Sequence, residues 1–278
     1  MSTDNMNARK TRLSLDSFLG GIFLLFLTTS IILAILSRSE VVSDSPKVGF
    51  QKGVGILKIF GPINYGNTEF GIVTGGVELW GRQLENLMKN PQVKAVVIQL
   101  NSPGGTAGSS SELYQKIQRL KKNHQKPVII SIADVGASGA YWIALAGDKI
   151  LANSVSMVGS IGVIVANFDL TRVPERYGIS QRTYKSAPYK DFLSSWREPS
   201  EAEEEIVDLL LADIHNEFVS VLAQSRELNI ETARKLANGS VYSGRQAQSL
   251  KLIDKIGTLD DAIEYAASLT QLKMPVHI

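Results

Sequence analysis

From residue 54 onwards, short apolar runs alternate with longer segments whose apolar positions have helical spacing. The runs VKAVVIQL (93–100) and PVIISI (127–132) are apolar almost throughout, as expected of parallel strands buried on both faces. Before them, positions 77, 80, 84, 87 and 88 place apolar side chains on one face of a helix. This alternation predicts a layered α/β domain.

The same pattern predicts further elements on both sides of these runs. Strands are predicted at 54–60, 149–152, 161–167 and 181–185, helices at 109–120, 200–226, 243–250 and 260–269, and a loop at 63–76. Ser200 and Glu203 have the spacing of a capping box at the start of the longest helix. One apolar stripe of that helix is predicted to pack on the core: Ile206, Leu210, Ile214, Phe218 and Leu222.

The N-terminal part of the chain has a different pattern. Residues 18–36, FLGGIFLLFLTTSIILAIL, carry no charge and are long enough to cross about 30 Å of hydrocarbon. A cleaved signal peptide is the alternative. However, this run is longer than the apolar region of a signal peptide, and its end fits a cleavage site poorly. Basic residues at 9, 10 and 12 favour a cytoplasmic start. We therefore expect a cytoplasmic tail (1–17), a transmembrane anchor (18–36), a linker (37–47) and an extracytoplasmic domain (48–278).

Composition excludes several classes of site. The chain has no cysteine, which excludes disulfides, thiolate metal sites and cysteine nucleophiles. A net charge of +2, with no basic stripe interleaved with aromatic residues, gives no indication of nucleic-acid binding. We predict neither a metal nor a cofactor.

Two strand ends break into small residues before a helix, at Asn101–Gly105 and at Val135–Gly139. Ligands and catalytic groups of parallel α/β sheets collect beyond such strand ends. Ser138 lies in the second, where amides at a helix start can hold an oxyanion. The alternative is that Ser138 only caps the helix. The GASGA sequence also lacks the first glycine of the G-x-S-x-G elbow, so spacing alone leaves both interpretations open.

A nucleophilic serine needs a group that accepts its proton. The three histidines, His124, His215 and His277, are not suitably placed in the sequence. Asp134 and Asp148 flank the serine, but the turns around them are expected to direct both elsewhere.

Lysine is the remaining class of base, and it requires a setting that favours the neutral amine. Lys185 and Lys190 lie in TYKSAPYKDFL among aromatic and small residues, whereas lysines 121, 122 and 126 lie in a polar run. The residues themselves do not distinguish Lys185 from Lys190.

Five stretches carry a resemblance to a known family. They are NSPGGTAGSSSELYQKI (101–117), ADVGASGAYWIALAGDKILAN (133–153), GSIGVI (159–164), YKSAPYKD (184–191) and YSGRQAQSLKLIDKIGTLDDAI (242–263). In these the chain resembles the short form of signal peptide peptidase A, the bacterial membrane-anchored peptidases that use a Ser–Lys dyad. The resemblance implies a fold related to Clp protease and crotonase.

The resemblance also implies roles for individual residues. The nucleophile falls on Ser138, the general base on Lys190, and a serine that orients the lysine on Ser160. The oxyanion hole falls on the amides of Gly139 and of the Gly104-Gly105 pair, with Gly104 the first choice. Two positions depart from the family pattern: Ala140 and Lys251 stand where glycine is usual, the first expected to narrow the active site and the second to affect only a turn.

The implied function is hydrolysis of cleaved signal peptides and other apolar peptides at the bacterial inner membrane. The resemblance further implies a homo-oligomer that encloses its active sites, with a dyad that neighbouring subunits can share. One rival is a crotonase-like enzyme acting on acyl-CoA thioesters. The other is a membrane-anchored scaffold or partner-binding protein that has kept the fold and lost catalysis.

Overall fold

The computed structural model describes residues 53–66, 68–69, 72–73 and 76–272. The predicted tail, anchor and linker lie outside these residues and stay predictions. Among the helices that the structure describes, none is both long and apolar enough to span a bilayer.

The elements alternate along the described chain. The strands are β1 (Gly53–Phe60), β2 (Thr68–Glu69), β3 (Ile72–Val73), β4 (Val93–Ser102), β5 (Val128–Ala137), β6 (Lys149–Ala152), β7 (Met157–Gly159), β8 (Val241–Ser243) and β9 (Lys255–Ile256). The helices are α1 (Gly76–Lys89), α2 (Ala107–His124), α3 (Gly139–Ala144), α4 (Val173–Tyr177), α5 (Glu201–Ser225), α6 (Ile230–Leu236), α7 (Gly244–Ser249) and α8 (Leu259–Leu269).

The main sheet is parallel over most of its width. Its described strands follow the order β1-β4-β5-β6-β9, and each neighbouring pair is parallel. The end of β5 also pairs in parallel with β7, and β8 pairs antiparallel with β7. The prediction of an α/β domain around a parallel sheet is therefore confirmed.

Both faces of the sheet are covered, which explains the apolar runs in β4 and β5. Successive residues of a strand point to opposite faces. Val96 and Ile98 of β4 belong to a core cluster with residues of α1, α2 and α3. Ala95 and Val97 belong to a second cluster with residues of α8. The layered arrangement follows from this alternation.

The residues between β7 and α5 do not follow the prediction. The strands predicted at 161–167 and 181–185 are absent, and this part of the chain is irregular except for α4. Almost every residue from 164 to 190 is exposed. We call residues 163–199 the arm.

Other predictions also need correction. The predicted loop at 63–76 contains the paired strands β2 and β3, and α6, β8 and β9 were not predicted. On α5 the capping box at Ser200 is confirmed, but the apolar stripe packs only in its second half. Phe218 and Leu222 are buried, whereas Ile206 and Leu210 are exposed, because the first half of the helix extends beyond the core of the single chain.

Candidate active site

Ser138 lies on a sharp elbow between strand and helix. Strand β5 ends at Ala137 and α3 begins at Gly139, and Ser138 between them has φ 53° and ψ −124°. Its N–H donates to the Gly159 carbonyl (2.8 Å) and its own carbonyl accepts from the Trp142 N–H (3.0 Å). A positive φ is strained for a residue with a side chain. The side chain makes no capping hydrogen bond, so the interpretation of Ser138 as a helix cap loses its support.

The elbow opens on a cavity of about 1220 Å³. The predicted site residues Ser138, Gly139 and Ser160 come together on its wall. Gly105, the second glycine of the predicted Gly104-Gly105 pair, lies there too. The remaining wall is largely apolar, and it includes side chains of α3 and of the middle of α5: Trp142, Leu211, Ile214 and Phe218. An apolar cavity next to Ser138 can accommodate an apolar peptide chain.

Two backbone amides beside Ser138 are open. Neither the Gly105 N–H nor the Gly139 N–H makes a hydrogen bond with a described residue. A Cβ placed on Gly139 would lie 3.2 Å from the Gly105 nitrogen, which shows how close the two segments are. Paired amides of this kind can hold an oxyanion.

Gly104, the first-choice oxyanion donor, serves the site in a different way. Its N–H donates to the Ser102 hydroxyl (3.1 Å) and is therefore occupied. Its φ of 102° favours glycine, and a Cβ there would come within 2.8 Å of the Gly139 nitrogen and of Ser138 Cβ. Gly104 thus allows the two strand ends to approach, while its neighbour Gly105 offers the open amide.

Ser160 is held next to the elbow by the backbone. Its φ is 49°, and its N–H donates to the Ser240 carbonyl (2.7 Å). The residue before it, Gly159, accepts the hydrogen bond from the Ser138 N–H. The two serines therefore sit on adjoining pieces of the cavity wall.

The two candidate lysines lie on the arm, outside the wall of this cavity. Lys185 donates to Asp191 Oδ1 (2.6 Å) and to the Pro188 carbonyl (2.7 Å). Lys190 is exposed, and its ammonium has no hydrogen bond or ion pair within the described residues. Lys185 is therefore engaged as a cation, whereas Lys190 is available to a group outside its own chain.

The flanking carboxylates point away from Ser138, as expected. Asp134 accepts from Asn101 Nδ2 (3.1 Å). Asp148 pairs with Lys121 (2.7 Å) and accepts from the Val128 N–H (2.7 Å). Neither lines the cavity, and both carboxylates are engaged by groups away from Ser138.

His215, which the sequence analysis rejected as unsuitably placed, lies on the cavity wall. Its Nε2 is 2.7 Å from the Ala237 carbonyl, which can only accept, so Nε2 carries the hydrogen. His215 follows Ile214 on α5, and a polar residue beside an apolar stripe has the pattern of an ordinary helix surface. Nothing in that pattern indicates that the middle of the helix lines the Ser138 cavity.

The two departures from the family pattern lie outside the chemistry. Ala140 is fully buried in the core cluster and does not line the cavity, so its methyl group does not narrow the site. Lys251 has φ 61° in the turn after α7, a conformation in which glycine is less strained.

Comparisons with known proteins agree with the geometry. The model of peptidase family S49 matches residues 120–273, more than half of the chain. A Synechocystis protein named "Putative protease slr0021" is 39% identical over 64% of this chain and 64% of its own length. An Enterococcus faecium protein named "Putative signal peptide peptidase SppA" is 34% identical over 66% of this chain and 53% of its own.

A more distant relative comes from a plant. "Serine protease SPPA, chloroplastic" of Arabidopsis thaliana is 31% identical over 78% of this chain and 31% of its own length. The matched part of the chain thus spans less than two thirds of each of these relatives. The extent of the family match nevertheless agrees with the resemblance drawn from the motifs, and the chain belongs to peptidase family S49.

Proposed function

We propose that this protein is a serine peptidase in which Ser138 is the nucleophile and Lys190 is the general base. The observation that carries the proposal is the strained elbow at Ser138, which opens on an apolar cavity beside two open amides. Membership of peptidase family S49 supports the same reaction class.

The proposed reaction is acyl transfer. Ser138 Oγ attacks the scissile carbonyl carbon while neutral Lys190 takes its proton, and the oxyanion accepts hydrogen bonds from the Gly139 and Gly105 amides. The C–N bond then breaks, and Lys190 gives the proton to the leaving amine. A water, deprotonated by Lys190, then attacks the ester carbonyl. The bond to Ser138 Oγ breaks, Lys190 returns the proton to that oxygen, and the acid product leaves. The Ser160 hydroxyl accepts a hydrogen bond from the lysine ammonium and orients it.

We infer further that Lys190 acts on the Ser138 of a neighbouring chain. Lys190 is exposed on the arm, outside the wall of the cavity in its own chain. The arm also exposes large apolar side chains, among them Ile164 (87% exposed), Phe168 (81%) and Tyr184 (90%). Several large apolar side chains exposed on one segment are typical of a surface that another protein covers. Ile164 also lies on the wall of the Ser138 cavity, so this surface borders the site. Covering the arm with a second copy would also remove Lys190 from water, which favours the neutral amine that a base requires.

Mixing two inactive variants tests the shared site. Ser138→Ala chains keep Lys190, and Lys190→Ala chains keep Ser138. In random head-to-tail assemblies of equal amounts, about a quarter of the sites receive both groups, so activity returns to about a quarter of the parent value. Each variant mixed with itself is the control. Mixed assemblies that stay inactive, or a parent chain that is active as a monomer in sedimentation, would contradict sharing.

The substrates and location are proposals as well. Apolar peptides, such as signal peptides left in the membrane after cleavage, fit the apolar wall beside Ser138. We propose that the segment at 18–36 anchors the chain in the bacterial inner membrane, with the peptidase domain on the extracytoplasmic side. Alkaline extraction of membranes from cells expressing the full chain tests this, because an integral anchor resists it and a peripheral protein is released.

Labelling by a fluorophosphonate probe tests the central proposal. The parent chain is expected to be labelled and to cleave a quenched-fluorescence peptide with an apolar core, and Ser138→Ala is expected to lose both. Ser180→Ala, which changes an exposed serine of the arm, is the matched control and keeps both. An assembled, folded parent that is neither labelled nor active would favour the scaffold alternative, and turnover of acyl-CoA thioesters instead of peptides would favour the crotonase-like one.

A further inference from the structure

Four charged residues of the arm and of α5 form a chain of ion pairs at a spacing of six residues. Lys185 pairs with Asp191 (2.6 Å), and Asp191 pairs with Arg197 (2.8 Å). Arg197 in turn pairs with Glu203 through both of its terminal nitrogens. Signs alternate along the series, so each inner residue contacts two opposite charges. This series runs through the segment that carries Lys190.

Arg197 occupies the centre of the cluster. Its Nε donates to Asp191 Oδ2 (2.9 Å) and its Nη2 to Asp191 Oδ1 (2.8 Å), a two-point contact with one carboxylate. Its Nη1 donates to Glu203 Oε2 (2.8 Å) and to the Glu198 carbonyl (3.0 Å). A planar guanidinium can bind two carboxylates at once in this way, whereas a lysine ammonium cannot reproduce the geometry.

Glu203 ties the cluster to a rigid element. It is the third residue of α5 and only 3% exposed. Its Oε2 also accepts from the Ser200 N–H (2.9 Å) as part of the capping box. Hydrogen bonds from Arg197 and the Ser200 backbone lower the pKa of Glu203 to about 2, so it remains a carboxylate at neutral pH. The cluster therefore connects the arm to the first turn of a 25-residue helix.

Lys190 extends from the piece of backbone that the cluster holds. It directly precedes Asp191, whose carboxylate and carbonyl both accept hydrogen bonds from Arg197. The Lys190 N–H donates to the Ala187 carbonyl (3.2 Å), which closes the turn on the other side. Hydrogen bonds from Arg197 and Lys185 hold the pKa of Asp191 well below its usual range. The backbone of Lys190 is thus fixed while its ammonium stays open.

We propose that Arg197 is a positioning residue for catalysis: by clamping Asp191 to Glu203 it presents Lys190 in a single orientation to the Ser138 it serves. This inference rests on the proposed role of Lys190 as the base. All the side-chain links in the cluster are local, between residues 185 and 203, and none reaches the sheet. Loss of the Asp191 link is therefore expected to affect the orientation of Lys190 without weakening the core.

Asp191→Ala and Arg197→Ala test this in the full chain, with Arg197→Lys as the conservative variant. The expected result is a fall in kcat of about 10- to 100-fold, as for a base displaced by roughly 1 Å, with KM almost unchanged. The melting temperature of Asp191→Ala is expected to match the parent. The kcat of Arg197→Lys is expected to lie between those of the parent and of Arg197→Ala, because one ammonium cannot hold both carboxylates. Arg182→Ala, which removes an arm arginine without a polar contact among the described residues, is the control.

The pH–rate profile separates positioning from general damage. A placed lysine gives a rate that rises with pH to a plateau, where the base is fully deprotonated. When the lysine is misplaced, hydroxide substitutes for it, so the plateau of Asp191→Ala and Arg197→Ala is replaced by a continuing rise. A uniformly lower curve of unchanged shape would show a loss of active protein and would overturn the proposal.

Further controls separate this inference from the proposed function. If Ser138→Ala and Lys190→Ala abolish activity while Asp191→Ala keeps the parent kcat and profile, the positioning role is wrong and the proposed function stands. If Lys190→Ala keeps full activity, the positioning role and the proposed role of Lys190 as the base are both wrong. Arg197→Ala leaves the buried Glu203 unpaired, so Arg197→Ala/Glu203→Gln is made alongside it. If Asp191→Ala dissociates the assembly in sedimentation, the cluster serves assembly instead, which also overturns the proposal.

Discussion

Strands β4 and β5 are buried along most of their length, whereas the arm at 163–199 has no buried residue and is mostly exposed. Ser138 directly follows the buried strand β5, and Lys190 lies on the exposed arm. The proposed nucleophile is held by the sheet, because the Ser138 N–H donates to the Gly159 carbonyl at the end of β7. The proposed base is held only by contacts among neighbours in the chain.

This difference shows which part of the site a single chain can organise by itself. The elbow and the open amides lie where neighbouring strands of the sheet end, and the cavity wall adds residues of α3, α5 and the start of the arm, all within the single chain. The position of Lys190 relative to a serine depends on what covers the arm. The surroundings of Ser138 are therefore fixed by the fold of one chain, whereas under the shared-site proposal the position of the base is fixed by assembly.

The largest expected effect comes from replacing each of the two arm lysines with alanine. Lys190→Ala should lower peptide hydrolysis by about 100- to 10,000-fold, the usual contribution of a general base. Lys185→Ala should cost at most about tenfold, because Lys185 only supports Asp191 and removal of a partly exposed ion pair has small effects. Both are measured by steady-state kinetics on the same peptide. An inactive Lys185→Ala beside a nearly normal Lys190→Ala would contradict the assignment of the base.

A matched pair of isoleucines compares the two regions directly. Ile130 of β5 is fully buried, and Ile164 of the arm is 87% exposed. Ile130→Ala should lower the free energy of unfolding by about 2–5 kcal/mol, measured by urea titration. Ile164→Ala should leave that value unchanged at low protein concentration and shift the assembly toward monomer in sedimentation. Equal destabilisation by both would show that the arm packs on its own core in solution.

A smaller effect is expected where the two strand ends meet. Gly104→Ala places a methyl group within 2.8 Å of Ser138 Cβ at a φ of 102°, so it should destabilise the fold by about 1–3 kcal/mol and slow acylation by the fluorophosphonate probe. Gly108→Ala is the control, because its added Cβ meets nothing within 4 Å and alanine is favoured inside α2. Unchanged labelling of Gly104→Ala would show that the elbow tolerates the shift.

The buried half of the molecule could be predicted from the sequence. Apolar runs indicated β4 and β5, and the small residues after them indicated Ser138 and the glycines, because both patterns report burial within one chain. The family motifs then added Ser160, which structure places on the same cavity wall. Gly105 rather than Gly104 offers the open amide, and only the hydrogen bond from Gly104 to Ser102 distinguishes the two.

The exposed half could not be predicted in the same way. The β-prone residues at 161–167 and 181–185 form no strand, because a strand needs a neighbour to pair with and none of the described residues pairs with them. Ile206 and Leu210 on α5 have the spacing of core residues, yet both are exposed, because no described part of the chain covers them. An apolar pattern indicates that a surface will be covered, but it does not tell whether the cover is the same chain or another.

The placement of Lys190 outside the cavity of its own chain determines when the protein becomes active. Under the shared-site proposal, a newly made, unassembled chain carries a formed nucleophile with no base beside it, and is therefore latent. Activity would rise more steeply than protein concentration until assembly is complete, and dilution would switch it off. Such a chain needs neither a propeptide nor an inhibitor to spare its surroundings before it reaches its partners.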